Sequence, residues 1–207
     1  MRPDPLQRQE YRGKRLVDIA LTIATMPVWV PICLVCAVLV RLDSTGPIIF
    51  RQPRVGWAGT GFNVLKFRTM VDSPDGNPII PDKARVTRIG RALRRWSLDE
   101  LPQLVNVLRG EMSLVGPRPT LSYQVNRYDE RQRQRLAVRP GLTGLAQVNG
   151  RNRISWAERI QWDLEYVRRQ SLGLDLRLLV LTPASVLSAR GVSGHSIDDP
   201  LAAPPNE

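Results

Sequence analysis

Residues Leu16 to Val40 read LVDIALTIATMPVWVPICLVCAVLV, and the disposition of this run decides the fold. Asp18 is its only charge. A straight helix of this length would extend about 37 Å at ~1.5 Å per residue, more than the roughly 30 Å hydrocarbon core of a bilayer. A single membrane span is therefore one reading, and a buried helix of a soluble core is another. Two features favour a third. Pro27 and Pro31 interrupt the run, each removing an intrahelical hydrogen bond and crowding the preceding turn. A kink there leaves arms of about 16 and 21 Å, each too short to cross alone. The flanks also agree in sign, with Arg12, Lys14 and Arg15 before the run and Arg41, Arg51 and Arg54 after it. Basic flanks stay cytoplasmic, so both ends prefer one side. A re-entrant helix that enters one leaflet, bends near Pro27 and returns satisfies both features, with Thr22 or Thr25 hydroxyls taking up freed carbonyls. Asp18 is expected to pair with Lys14 or Arg15, one turn away. The run is too long for a signal peptide, and no small-residue cleavage site follows it.

Outward from this segment, the chain of 207 residues suits one domain and carries 30 basic against 19 acidic residues, a net charge of +11. Such a balance calls for an anionic partner: nucleic acid, anionic lipid or a phosphorylated substrate. Cys33 and Cys36 form a C-x-x-C, but inside an apolar run with no cationic neighbour to lower a thiol pKa they read as small buried hydrophobes. With no disulfide framework, the folded part is expected to be cytosolic. His195 is the only histidine and lies in a Gly/Ser/Asp-rich tail, which argues against histidine-based catalysis.

Residues 1–13 are polar and expected to be flexible. Ile48–Gln52 and Phe62–Phe67 are β-rich runs around a Gly-rich connection and predict a hairpin. Residues 72–82 read as a loop. Val86, Ile89, Leu93 and Trp96 have helical spacing, with Arg88, Arg91 and Arg95 on another face, either solvated or against anionic headgroups. Leu101, Leu104, Val105 and Leu108 predict a helix ending at Gly110, and 121–138 a charged helix. Arg139 to Gly144 reads as a turn. Ser155-Trp156-Ala157-Glu158 is a capping box opening another helix. Leu172–Val186, interrupted by Asp175, Arg177 and Pro183, suits the membrane interface. From Gly191 on, the composition is that of a disordered tail.

The stretch Ser97 to Pro119, SLDELPQLVNVLRGEMSLVGPRP, carries the chemistry. Asp99 and Glu100 follow a run containing Lys83, Arg85, Arg88, Arg91, Arg94 and Arg95, and the Gly-Pro-Arg-Pro turn adds Arg118. Acids within a cationic field suit metal-assisted phosphoryl chemistry. The local alternative is a helix cap, because Ser97-x-x-Glu100 also matches a capping box. Local pattern leaves both readings open. No Walker loop, dinucleotide fingerprint or zinc spacing is present.

Four blocks in order resemble the bacterial sugar transferase family, the small membrane-associated phosphoglycosyl transferases. They are Lys14-Arg15-x-x-Asp18; RQPRVG-x4-GF-x3-KFRTM from Arg51 to Met70; LRRWSLDELPQLVNVLRGEMSLVGPRP from Leu93 to Pro119; and RPGLTGLAQVNGRN from Arg139 to Asn152. The resemblance covers about Lys14 to Thr182. It implies transfer of a sugar-1-phosphate from a UDP-sugar to undecaprenyl phosphate, releasing UMP, as a first membrane step of bacterial capsule, exopolysaccharide, O-antigen or glycoprotein assembly. It further implies a ping-pong route in which Asp99 attacks phosphorus to form an aspartyl-phosphosugar intermediate. Glu100 would assist the polyprenyl phosphate or the metal site, and Mg²⁺ would bind near Asp99. Lys66, Arg68, Arg94 and Arg118 match positions suited to phosphate, with Arg151 a further candidate. Family members often carry Ser-Pro at the bend, where this chain has Met26-Pro27 with Pro31 beyond.

The expected fold is α+β and mainly helical. Its parts would be a flexible N-terminus (1–13), a re-entrant membrane helix (14–41), a small cytosolic catalytic domain (42–187) with amphipathic interfacial helices and a short β-hairpin, and a disordered tail (188–207). The expected location is the cytoplasmic face of the bacterial inner membrane, with anionic lipids as partners, a homodimer as a candidate assembly and no nucleic acid. The competing reading is a non-catalytic, membrane-tethered basic protein binding anionic lipid or nucleic acid. It is disfavoured because acids and rigid turns interrupt the basic residues and no nucleic-acid motif appears.

Overall fold

The computed structural model describes residues 10–71, 85–150 and 154–187. The architecture is mostly helical with two small sheets. Helices α1 (Lys14–Ala24) and α2 (Met26–Asp43) lead into the antiparallel hairpin β1 (Ile49–Val55) and β2 (Gly61–Phe67). Then follow α3 (Arg88–Arg95), a 3₁₀ turn (Leu98–Glu100) and α4 (Gln103–Arg109). Next come β3 (Ser113–Val115), α5 (Ser122–Asn126), α6 (Glu130–Arg133) and β4 (Gly141–Thr143), the last parallel to β3. Short α7 (Leu145–Asn149) and the longer α8 (Trp156–Arg169) and α9 (Leu172–Leu187) complete it.

The first two helices invert the soluble pattern. The buried face of α1 is Lys14, Asp18 and Thr22, four residues apart, whereas Leu16 is 71% and Ile23 53% exposed. Helix α2 continues the apolar surface through Val28, Leu34, Val35, Val38 and Leu42. By length and composition it could cross a membrane. A contiguous apolar face of this extent marks a surface that water does not cover.

The helix breaks at Thr25, two residues before Pro27 and so near it as expected: Pro27 occupies the first turn of α2, where its missing N–H is tolerated, and Pro31 lies inside the continuing helix. The break is held by side chains. Thr25 Oγ1 donates to the Leu21 carbonyl at 2.7 Å, and the Trp29 indole N–H donates to the Thr22 carbonyl at 3.0 Å. The Leu21 carbonyl already accepts from Thr25 N, and it is the 3.3 Å contact from Thr25 Oγ1 to the Thr22 carbonyl that follows the expectation for hydroxyls; the indole was not foreseen.

Polar residues on the inner face of α1 anchor it to the body. Lys14 Nζ meets Asp175 Oδ2 at 2.6 Å, and Asp175 also accepts from Tyr11 at 2.9 Å and Tyr166 at 2.8 Å. Asp18 therefore makes no ion pair with Lys14 or Arg15; its Oδ1 accepts from Ser113 Oγ (3.0 Å) and Leu114 N (3.1 Å). Arg15 instead caps the end of α4 through the Val107 and Leu108 carbonyls. The expected flexible N-terminus falls mostly outside the described residues. Glu10 and Tyr11 are docked, Glu10 paired with Arg139.

Two other expectations change. The charged segment 121–138 is not one helix: Asp129 accepts from Gln132 N at 2.7 Å and restarts the chain as α6, followed by a 3₁₀ turn over Gln134–Ala137. The Arg139–Gly144 turn is instead strand β4, in register Ser113↔Gly141 and Val115↔Thr143. Glycine permits that pairing, since a Cβ on Gly141 would lie 2.0 Å from Gly116 N. The hairpin and the Ser155 capping box form as read, with Ser155 Oγ accepting from Glu158 N. The loop at 72–82, His195 and the tail 188–207 lie outside the described residues.

Asp175→Ala would leave Lys14, 1% exposed, without its counter-charge. Removing one partner of a buried pair costs about 3–5 kcal/mol. A fall in the thermal midpoint of the detergent-solubilised protein is the expected result, and an unchanged midpoint would contradict the anchoring role.

Candidate active site

A cleft of about 1460 Å³ opens between the hairpin, the 3₁₀ turn, β4 and α9. Lys66, Arg68, Arg94, Asp99, Glu100 and Arg118 all line it, so the structure brings together every described site residue expected from sequence. Arg151 lies outside the described residues.

Local backbone sets the acidic pair apart from any cap. Ser97 adopts φ 56, ψ 21, left-handed and uncommon for a non-glycine residue, and its side chain caps nothing. The capping box that local pattern left open is absent because Asp99 and Glu100 sit in the 3₁₀ turn itself, and α4 starts only after Pro102. The two carboxylates then take different roles. Glu100 is fully engaged: Lys66 Nζ donates to Oε1 at 2.8 Å, while Arg118 donates to Oε1 and, at 3.2 Å, to Oε2. Burial opposes its ionisation, but Arg118 and Lys66 prevail and hold it well below the usual carboxylate range. Asp99, 9% exposed, takes no hydrogen bond from any described residue. Burial, and then the charge of Glu100, push its pKa up against Lys66, Arg118 and Arg94.

Each cation is held from behind. Arg94, at the end of α3, donates to Thr69 Oγ1 at 2.8 Å. Arg68 is tied to the Ser44 carbonyl (2.7 Å) and hydroxyl (2.9 Å), where a Cβ on Gly46 would fall 2.2 Å from its guanidinium. This engagement makes Arg68 as much a strut between α2 and β2 as a phosphate ligand. Lys66 is placed by Asn106 of α4. Its carboxamide accepts from Leu65 N (3.1 Å) and donates to the Asn63 carbonyl (2.8 Å), acting as an extra strand along β2. Arg118 is placed by Arg135, which donates to the Arg118 carbonyl at 3.0 Å and is itself paired with Asp163 and Tyr128.

Sequence reading missed Asn106, Arg135 and Asp163. Only their polarity at positions that prove fully buried marks them, and burial was not visible in the spacing. It also missed Arg159, which lines the cleft and is pushed below the ordinary guanidinium range by burial and then by Arg118. Such crowding of positive charge is relieved by an anionic ligand.

The donor set suits a divalent cation shared with a substrate. Among the described residues no three metal-ligating side chains converge, and Asp99 is the unengaged carboxylate of the cleft. Mg²⁺ needs no more, since it is typically held through one or two carboxylates, waters and substrate phosphate.

The family model described as bacterial sugar transferase matches residues 9–189. The uncharacterized sugar transferase EpsL of Bacillus subtilis is 46% identical over 86% of this chain and 89% of its own length. A UDP-glucose:undecaprenyl-phosphate glucose-1-phosphate transferase of Caulobacter vibrioides is 43% identical over 84% of this chain and 70% of its own. The exopolysaccharide production protein ExoY of Sinorhizobium fredii is 39% identical over 86% and 87%. The chain belongs to the bacterial sugar transferase family.

A carboxylate that must be ionised to react loses activity as pH falls through its pKa, and that of Asp99 is raised. Glu100→Gln removes a like charge and lowers it. The residual activity of Glu100→Gln is therefore expected to have its acid limb at lower pH than wild type. A limb moved to higher pH would contradict the electrostatic assignment.

Proposed function

We propose that this protein transfers a sugar-1-phosphate from a UDP-sugar to a polyprenyl phosphate, undecaprenyl phosphate in bacteria, at the cytoplasmic face of the inner membrane. The observation that carries this reading is the unbonded Asp99 carboxylate beside a cation-clamped Glu100, in a cleft next to exposed apolar helices. The names of the relatives from Caulobacter and Sinorhizobium support the donor, the acceptor and a role in exopolysaccharide assembly.

The UDP-sugar diphosphate enters with Lys66, Arg94 and Arg118 facing its oxygens. An Asp99 oxygen attacks the sugar-proximal phosphorus, a P–O–Asp bond forms, and the bond to the other phosphate breaks to release UMP. A polyprenyl phosphate oxygen then attacks the same phosphorus and frees Asp99, so charge and atoms balance over two displacements. Asp99 with the substrate phosphates would hold Mg²⁺, which supplies charge neutralisation on the diphosphate when bound. The acceptor phosphate has a second pKa near 6 and is already mostly dianionic at neutral pH, at about −1.5 to −2 charge. Glu100, held ionised by two cations, acts by holding Lys66 and Arg118 in place.

The membrane disposition follows from the same surfaces. The break at Thr25 supports a re-entrant 14–41, with 42–187 as the cytosolic catalytic domain. On α9, Leu172, Leu176, Val180 and Leu181 are exposed and suit the interface. Helix α3 is capped by Asp43 at the end of α2, so its exposed Arg88, Arg91 and Arg95 lie where anionic headgroups would be.

Purified protein with Mg²⁺, undecaprenyl phosphate and a panel of UDP-sugars is expected to release UMP from at least one, and EDTA to stop it. Without acceptor, label from the sugar phosphate should stay on the wild-type chain and not on Asp99→Asn, which should show no turnover; normal turnover by that variant would sink the mechanism. For topology, cysteines at Arg12 and Thr45, in a chain whose Cys33 and Cys36 are replaced by serine, should both be labelled from the cytoplasmic side. Labelling of one alone would establish a full span instead.

A further inference from the structure

A buried carboxamide normally finds partners for both ends, because an unpaired donor or acceptor shut away from water is costly. Gln147 of α7 does not. Both its Oε1 and Nε2 are buried with no hydrogen-bond partner. Among the described residues no other side chain leaves two atoms in that state. The amide packs against Gly144, where an added Cβ would lie 3.1 Å from Oε1, and the residue borders the catalytic cleft.

The wall around it is neutral. From β4, α7 and α9 the cleft is lined by Leu142, Thr143, Leu179, Thr182 and Pro183 beside Gln147. The threonine hydroxyls are spent on each other. Thr182 Oγ1 donates to the Leu178 carbonyl at 2.6 Å, so in the 2.8 Å contact between Thr143 and Thr182 it is Thr143 that donates. Thr143 keeps only lone pairs. Ser185 of α9, also on the lining, donates its hydroxyl to the Thr182 carbonyl at 2.9 Å, so among these side chains the Gln147 amide is the one that holds an unspent donor beside an unspent acceptor. The phosphate-facing cations come from other elements: Lys66 from β2, Arg94 from α3 and Arg118 from the Gly116–Pro119 turn.

A nucleotide sugar has charged and neutral parts, and a cleft that reads it needs a group for each. We infer, resting on the UDP-sugar reading above, that Gln147 binds a neutral part of the donor substrate presenting a hydrogen-bond donor beside an acceptor. The imide edge of the uracil and a pair of adjacent sugar hydroxyls both have this chemistry. The substrate would supply the partners that no protein group gives the amide.

Gln147→Leu and Gln147→Met test this in the full chain. The probes are the UDP-sugar that wild type turns over, as substrate, and UMP, as a ligand in calorimetry. Loss of two neutral hydrogen bonds is expected to raise KM for the UDP-sugar about tenfold or more. Turnover number should change little, and the thermal midpoint should hold or rise, because the substitution removes an unpaired buried amide. A parallel weakening of UMP binding assigns the contact to the nucleoside, and unchanged UMP binding assigns it to hydroxyls of the transferred sugar. Unchanged KM, or a KM that rises only with a lowered thermal midpoint, overturns the proposal. A wild-type protein that turns over no UDP-sugar and does not bind UMP would refute the function itself, a separate result.

Discussion

A lysine taken almost wholly out of water must keep a counter-charge, and Lys14 finds its own in Asp175, far along the chain. That pair, with Tyr11 and Tyr166 on the same carboxylate, ties the start of the apolar arm to α9. Asp18, one turn on, grips Ser113 and Leu114 at β3, two residues before the Gly-Pro-Arg-Pro turn. Two of the three buried polar residues of α1, Lys14 and Asp18, are thus spent on the body. Among the described residues, none covers Leu16 and Ile23 of α1 or Val28, Leu34, Val35, Val38 and Leu42 of α2, which stay exposed. Lys14 ties α1 to α9 by an ion pair, and Asp18 ties it by hydrogen bonds to β3, the strand that leads to Arg118.

Within the cleft the same electrostatic logic separates two adjacent acids. Two carboxylates side by side repel, and only one can be fully paired by the nearby cations. Glu100 takes Lys66 and Arg118; Asp99 is left without a hydrogen bond and with a raised proton affinity. Asn106 and Arg135 determine which acid is paired, since they place Lys66 and Arg118 from two independent directions. The raised proton affinity of Asp99 comes first from burial and then from the adjacent charge of Glu100.

Much of this was legible in the chain. The hairpin, the helix ending at Gly110 and the Ser155 capping box are local: short-range periodicity, a left-handed glycine and a reciprocal side-chain cap declare themselves within a few residues. The cluster of Lys66, Arg68, Arg94, Asp99, Glu100 and Arg118 was legible because its members lie in ordered blocks that resemble one family. Three readings failed for a common reason. The Ser97 cap, the 121–138 helix and the Arg139–Gly144 turn were each judged on local pattern, and each was overruled by a contact that pattern does not contain. Ser97 turned left-handed, Asp129 capped a new helix, and Gly141 paired with a strand reached through Gly116.

By itself the sequence determined that a basic chain carries a broken apolar segment, a hairpin, and an acidic pair flanked by basic residues. Charge, proline and periodicity are properties of residues and survive in any conformation. Only the tertiary structure decided that the break falls at Thr25, that Lys14 belongs to Asp175 and not to Asp18, and that Asp99 rather than Glu100 is left free. Those outcomes depend on which buried polar groups meet across long stretches of chain. A buried charge or amide takes the partner that packing brings within hydrogen-bond distance, and one-dimensional spacing does not record that distance.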